Sequence, residues 1–107
     1  MATDKEYINF ILEQLSELDN ITHIKMMSEY IIYFRGKIAA YVCDDRFLVK
    51  PVDAAKKLLP DAIMEPPYIG AKDMILVDNI EDKEFLTNLF IAMYPELPER
   101  KKKVKKK

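Results

Sequence analysis

Imidazole and thiol side chains are scarce in this chain. It has one histidine, His23, one cysteine, Cys43, no tryptophan, and two widely separated glycines, Gly36 and Gly70. A Ser-His-Asp or Cys-His arrangement, or a closed zinc site, would have to be built on one of those two residues, with partners that no nearby motif supplies. His23, between Thr22 and Ile24, reads as an ordinary surface or loop side chain, and Cys43 as a small packing residue of a strand. Glycine-rich phosphate loops need clustered glycines, so the common nucleotide-binding modes are excluded. A single thiol forms no internal disulfide. Long hydrophobic runs are also missing. The longest apolar stretches, residues 31–34 and 38–43, fall far below the roughly 20 residues of a membrane-spanning helix. Asp4 and Glu6 near the start do not fit a signal peptide, so a cytoplasmic location is expected, with no membrane partner. The expectation is of a protein that is no enzyme, with no catalytic residue, cofactor or metal.

The net charge of −1 conceals an asymmetry. Residues 1–99 carry 10 basic and 18 acidic side chains, while the last eight residues carry a charge of +7. An acidic body repels phosphate backbones, so direct reading of DNA by the folded part is not expected. The basic tail, comprising Arg100, Lys101, Lys102, Lys103, Lys105, Lys106 and Lys107, has the chemistry for weak, sequence-blind contact with nucleic acid. It has no aromatic residue to stack on bases, and a solvated solubility tail is the plainer reading.

What the chain does have is apolar periodicity. Thr3 and Glu6 fit a capping box, and Ile8, Ile11, Leu12, Leu15 and Leu18 follow at helical spacing until Asp19-Asn20. Residues 25–50 are rich in Ile, Tyr, Phe and Val and are broken only at Arg35-Gly36 and Asp44-Asp45, which predicts three antiparallel strands joined by two tight turns. Asp44-Asp45 suits turn geometry better than half a cation site. Asp53 is placed to cap a short helix that Pro60 stops. Pro66-Pro67 stiffens an extended connection, a strand is expected over residues 74–77, and Phe85, Leu86, Leu89, Phe90 and Met93 mark a last helix starting near Glu81. The fold class predicted is α+β: a two-layer sandwich, with an antiparallel sheet carrying helices on one side. One domain is expected over residues 1–98, with a disordered lysine-rich tail over 99–107.

The stretch 25–30, Tyr33-Phe34-Arg35-Gly36-Lys37, the run from Cys43 to Pro51, and the run from Glu65 to Lys72 together resemble the N-terminal domain of the TfoX/Sxy family of competence regulators. The likeness extends from about Lys25 to Pro98 and corresponds to half of a full-length regulator. Met27 and Ser28 stand where the family has Phe and its first Gly. The resemblance implies a secretion-chaperone-like sandwich that regulates through protein contacts and without catalysis.

If both turns are two residues long, the register decides which side chains share a face. One face then holds Ile31, Tyr33, Ile38, Ala40, Val42, Phe47 and Val49 and is expected under the helices. The other holds Tyr30, Ile32, Phe34, Tyr41, Arg46, Leu48 and Lys50, together with Lys37, Ala39 and Cys43, and is the expected interaction face for a protein partner or a second copy. Two alternatives stay open. The short helix or the Pro66-Pro67-Tyr68 segment folds back to cover that face, or a bulge shifts the register by one and exchanges the lists. An enzyme built on Lys50, Glu65 and Lys72 is the remaining and weakest reading.

Overall fold

The computed structural model describes residues 5–26 and 29–97. Helix α1, Lys5–Gln14, leads into strands β1, Ile21–Met26, β2, Glu29–Phe34, β3, Lys37–Cys43, and β4, Arg46–Val49. Next come a short helix α2, Asp53–Leu58, strands β5, Met64–Glu65, and β6, Met74–Leu76, and helix α3, Lys83–Met93, which tightens into a 3-10 turn over Tyr94–Glu96. The strands form one six-stranded sheet in the order β1-β2-β3-β4-β6-β5. Every neighbouring pair is antiparallel. Side chains from all three helices join Tyr30, Ile32, Phe34, Val42, Phe47, Val49 and Ile75 in a single buried cluster on one face. The fold is the α+β two-layer sandwich that the periodicity predicts.

Both hairpin turns are two residues long. Arg35 and Gly36 have φ of 52° and 84°, and Asp44 and Asp45 have 54° and 55°. Positive φ at both central residues matches the right-handed twist of the flanking strands. Glycine adopts it without strain, and Asp tolerates it better than most residues do. Arg35 has no such tolerance, and its position is held from outside the turn. Its guanidinium donates to both carboxylate oxygens of Asp19, at 2.9 and 3.2 Å, and lies 5.0 Å from the Phe34 ring centroid.

The register departs from the simple expectation at one point. Phe34 pairs with Lys37 and Tyr33 with Ile38, but Ile32 then pairs with Ala40, so Ala39 is an extra residue in β3. The bulge is possible because Ala39 and Ala40 are both small enough to be fully buried, and the Ala39 carbonyl accepts from the Lys50 amide at 3.0 Å. The β3–β4 pairing keeps the expected register, with Val42 opposite Phe47 and Tyr41 opposite Leu48. As a result β2 and the start of β3 exchange their faces. Lys37, paired with Phe34, lies toward the helices with its Nζ 4.4 Å from the Tyr94 ring centroid, Ile38, paired with Tyr33, faces away, and Ala39 joins the main cluster. Tyr30, Ile32 and Phe34, expected on the interaction face, are buried under the helices, and Ile31 and Tyr33 lie on the other side.

The core is aromatic at its centre. Phe90 of α3 stacks on Phe47 at 6.1 Å with an 18° interplanar angle and meets Phe34 at 6.1 Å, while Tyr94 meets Phe34 edge-on at 5.3 Å. Helix α1 is shorter than its stripe, because Leu15 and Leu18 follow in turns closed by bonds to the Ile11, Leu12 and Leu15 carbonyls, yet both stay buried. Asp53 does not cap α2. It is the helix's first residue, after Val52, and the free Ala54 amide is met instead by Glu96 Oε1 at 2.8 Å. Asp82 caps α3, accepting from the Phe85 amide at 3.0 Å, one residue beyond the expected start. Thr3 of the expected capping box and the tail from residue 98 lie outside the described residues.

Two strands escaped the sequence reading. Strand β1 is exposed at five of its six positions, so it lacks the apolar alternation of a strand packed on a core. Strand β5 has two residues, too few to show a period.

Candidate functional site

The face of the sheet away from the helices is where the interaction surface was expected. Pairing places Thr22, Ile24 and Met26 of β1, Glu29, Ile31 and Tyr33 of β2, Tyr41 and Cys43 of β3, and Arg46 and Leu48 of β4 on this side. A small second cluster of Cys43, Leu48 and Met74, flanked by Tyr41 and Leu76, is buried here, separate from the main core. No helix covers it. The chain after β5 does, since Pro66-Pro67-Tyr68 folds back over the sheet as a flap, with Pro67 buried and Tyr68 and Ile69 exposed.

Arg46 fastens this flap. Its Nη1 donates to Glu65 Oε1 at 2.6 Å and to the Pro66 carbonyl at 3.3 Å, and its Nη2 donates to the Pro67 carbonyl at 3.3 Å. Asp44 Oδ2 lies 3.8 Å from the same Nη2. One planar guanidinium therefore joins a β4 position to both ends of the turn out of β5, a fork-like arrangement that an ammonium does not offer. Cys43 completes the clasp, with Sγ donating to the Pro67 carbonyl at 3.0 Å. Burial pushes the Cys43 thiol up, only partly offset by the Arg46 charge, so the sulfur stays protonated at neutral pH and acts as a donor.

The flap divides the surface into two pockets. The first, about 600 Å³, lies between the flap and the Asp44-Asp45 turn and is lined by Glu29, Cys43, Asp44, Arg46, Glu65 and the flap residues 66–69. The second, about 470 Å³, has Tyr41, Lys50, Lys72 and Asp73 in its walls and shares Pro67 and Tyr68 with the first. The structure thus separates the lysine–carboxylate trio considered in the sequence, with Lys50 and Lys72 on one side of the flap and Glu65, bound to Arg46, on the other. Among the described residues no group of three or more His, Cys, Asp or Glu side chains is placed to hold a metal ion. No helix among them is long and apolar enough to cross a membrane.

Glu29 is the unusual member of the first pocket. Its Oε1 is buried and has no hydrogen-bond partner among the described residues. Burial, and then the nearby Asp44 carboxylate, hold its carboxyl above the usual glutamate range. Sequence reasoning gave Glu29 no role, and no local signal would have done so, because its position depends on the bulge and on the flap.

Of the residues expected to form the interaction face, Tyr41, Arg46, Leu48 and Lys50 border the flap or its pockets, with Leu48 fully buried beneath. Tyr30, Ile32 and Phe34 do not belong to it. Their places on β2 are taken by Glu29, Ile31 and Tyr33.

A protein of Spirochaeta aurantia, described as an uncharacterized 12.7 kDa protein in the trpE 5′ region, is 31% identical over 109 residues, covering 98% of this chain and 95% of its own. The chain belongs to that protein's family. The match runs through every element described above, so the flap and both hairpins fall inside it. No protein-family model matches the chain, and no solved structure matches it.

Proposed function

We propose that this protein is a non-catalytic binding module, a regulatory or adaptor domain acting through protein contacts on the flap-bearing face of its sheet. The observation that carries this reading is the set of large apolar side chains standing in solvent around that face. Ile69 at the flap tip is 99% exposed and Tyr68 51%, and across the sheet Ile24 and Met26 of edge strand β1 are 43% and 47% exposed. Phe10, Leu58 and Ile91 are exposed as well, one on each of the three helices. These four, by contrast, stand on the flap and on the sheet face over which it folds, and apolar exposure of that kind marks contact surfaces. The resemblance to the TfoX N-terminal domain, whose members regulate through protein contacts, supports the same reading. The direct test is an Ile69→Asp, Tyr68→Asp double variant, whose changed side chains lie outside both hydrophobic clusters. Self-association by sedimentation, or capture of a defined partner, should be lost while circular dichroism and the melting curve stay at wild type. Unchanged association would overturn the assignment of the face.

The charge of the last eight residues supports a second reading, a nucleic-acid accessory role through the tail. A salt-dependent shift of labelled duplex by the full chain, abolished by removing residues 100–107, is its signature.

A further inference from the structure

We infer that the pocket between the flap and the Asp44-Asp45 turn receives a lysine or arginine side chain of a protein partner, with Glu29 as its counter-charge. The inference deepens the binding-module reading and rests on it. Three carboxylates, Glu29, Asp44 and Glu65, line this pocket against a single guanidinium. That guanidinium is already engaged, since Arg46 binds Glu65 at 2.6 Å, approaches Asp44 at 3.8 Å, and donates to the flap carbonyls and to Cys43 Sγ. Glu29 has an oxygen buried with no hydrogen-bond partner among the described residues. A carboxylate in that state costs free energy that an incoming cation offsets, so the site favours a positive ligand over a neutral one.

The rest of the lining narrows the ligand class. Hard metal ions need several converging oxygen ligands, and no such group is placed among the described residues. The flap side of the pocket is apolar and aromatic, formed by Pro66, Pro67, Tyr68 and Ile69. A cation carried on a short methylene stem meets both demands, with the stem along the flap, the head toward Glu29 and Asp44, and the Tyr68 ring available to the charge. Lysine and arginine are the protein side chains of that form, and the apolar flap tip at the pocket mouth supplies the surface against which a partner's backbone would lie.

The test uses the full isotope-labelled chain titrated at low salt with N-acetyl-lysine methylamide and N-acetyl-arginine methylamide, with N-acetyl-norleucine methylamide as the neutral counterpart. The cationic probes should shift amide signals of residues 43–46, Glu65, Tyr68 and Ile69 saturably. The norleucine probe should bind at least fivefold more weakly, and Glu29→Gln should weaken the cationic probes at least fivefold. Glu81→Gln, at an exposed carboxylate that does not line the pocket, should leave them unchanged. Equal response to the norleucine probe, shifts spread over the acidic surface, or cation binding untouched by Glu29→Gln would each overturn the proposal. Butylamine binding as tightly as the lysine probe would overturn the assignment to a protein side chain. Failure here with association still dependent on Ile69 removes this pocket and leaves the binding module standing, whereas loss of the Ile69 dependence removes the module itself.

Discussion

The two faces of this sheet are held by different physics. On one side three helices bury a continuous apolar cluster around Phe34, Phe47 and Phe90, where stabilisation scales with the area removed from water and no single contact is directional. On the other a small cluster of Cys43, Leu48 and Met74 is roofed by a flap whose attachment is polar, a few bonds radiating from Arg46 and one from Cys43. The first face makes the fold, and the second is closed by a few directional contacts. A flap fastened by a few hydrogen bonds is expected to open at a small fraction of the free energy needed to expose the helical core.

The contrast is broken most directly by truncation at the aromatic centre. Phe90→Ala removes a fully buried ring that stacks on Phe47 and touches Phe34, and should cost about 3–5 kcal/mol. Denaturant unfolding should show a lower midpoint with an unchanged slope. A loss below ~1 kcal/mol would mean that the helices do not carry the fold, and the distinction between the faces would collapse.

Arg46→Ala is the matching experiment on the flap side. It leaves the Pro66 and Pro67 carbonyls without their guanidinium donor and Glu65 without its partner, for an expected loss of about 1–3 kcal/mol. More telling than the magnitude is the location. Limited proteolysis should speed up within residues 66–72 while the far-ultraviolet circular dichroism keeps its native form. If Arg46→Ala destabilises more than Phe90→Ala, the clasp is part of the global core and the flap is no independent element.

How much of this was legible in the sequence follows the same division. The helical stripes of α1 and α3 and the two turns rest on local chemistry, spacing and tolerance of positive φ, and all four are found close to where that chemistry puts them. The β2 face assignment failed because the bulge at Ala39 is selected by packing. Two adjacent alanines permit it, but nothing local demands it, and a one-residue slip moves Tyr30, Ile32 and Phe34 from one face to the other. The flap was visible only as one of two alternatives, since Pro66-Pro67 dictates stiffness and not direction. Arg46, Glu65 and Cys43 are far enough apart in the chain that their convergence needs the finished sheet.

Cys43 offers a finer probe of the clasp. The thiol is buried, donates to the Pro67 carbonyl, and is held protonated chiefly by burial, so alkylation of the native protein should be slow. In Arg46→Ala the loosened flap should admit reagent and raise the labelling rate severalfold at equal pH, even though the lost positive charge by itself disfavours the thiolate. An unchanged or lower rate would show that the thiol is shielded by the sheet cluster and that the flap stays closed without its arginine.

The smallest effect concerns Glu29, and its sign is fixed by the environment of the carboxylate. Burial, then Asp44, raise its folded-state value above the ordinary 4.5, so the folded protein binds this proton more tightly than the unfolded chain does. The stability tied to that proton is fully present below about pH 4.5 and is lost as pH rises through the folded value. Glu29→Gln removes the titration while keeping the shape, so variant and wild type should melt nearly together at about pH 4, and the variant should melt higher at about pH 7.5. Asp44, Glu65, Arg46, Cys43 and Tyr41 face the same region but are common to both proteins, and their contributions cancel in the difference. A difference that stays flat with pH, or favours wild type at neutral pH, would show that Glu29 already has its counter-charge. With a lysine probe bound the advantage of the variant should shrink, because a cation in the pocket favours the ionised carboxylate that the glutamine cannot become.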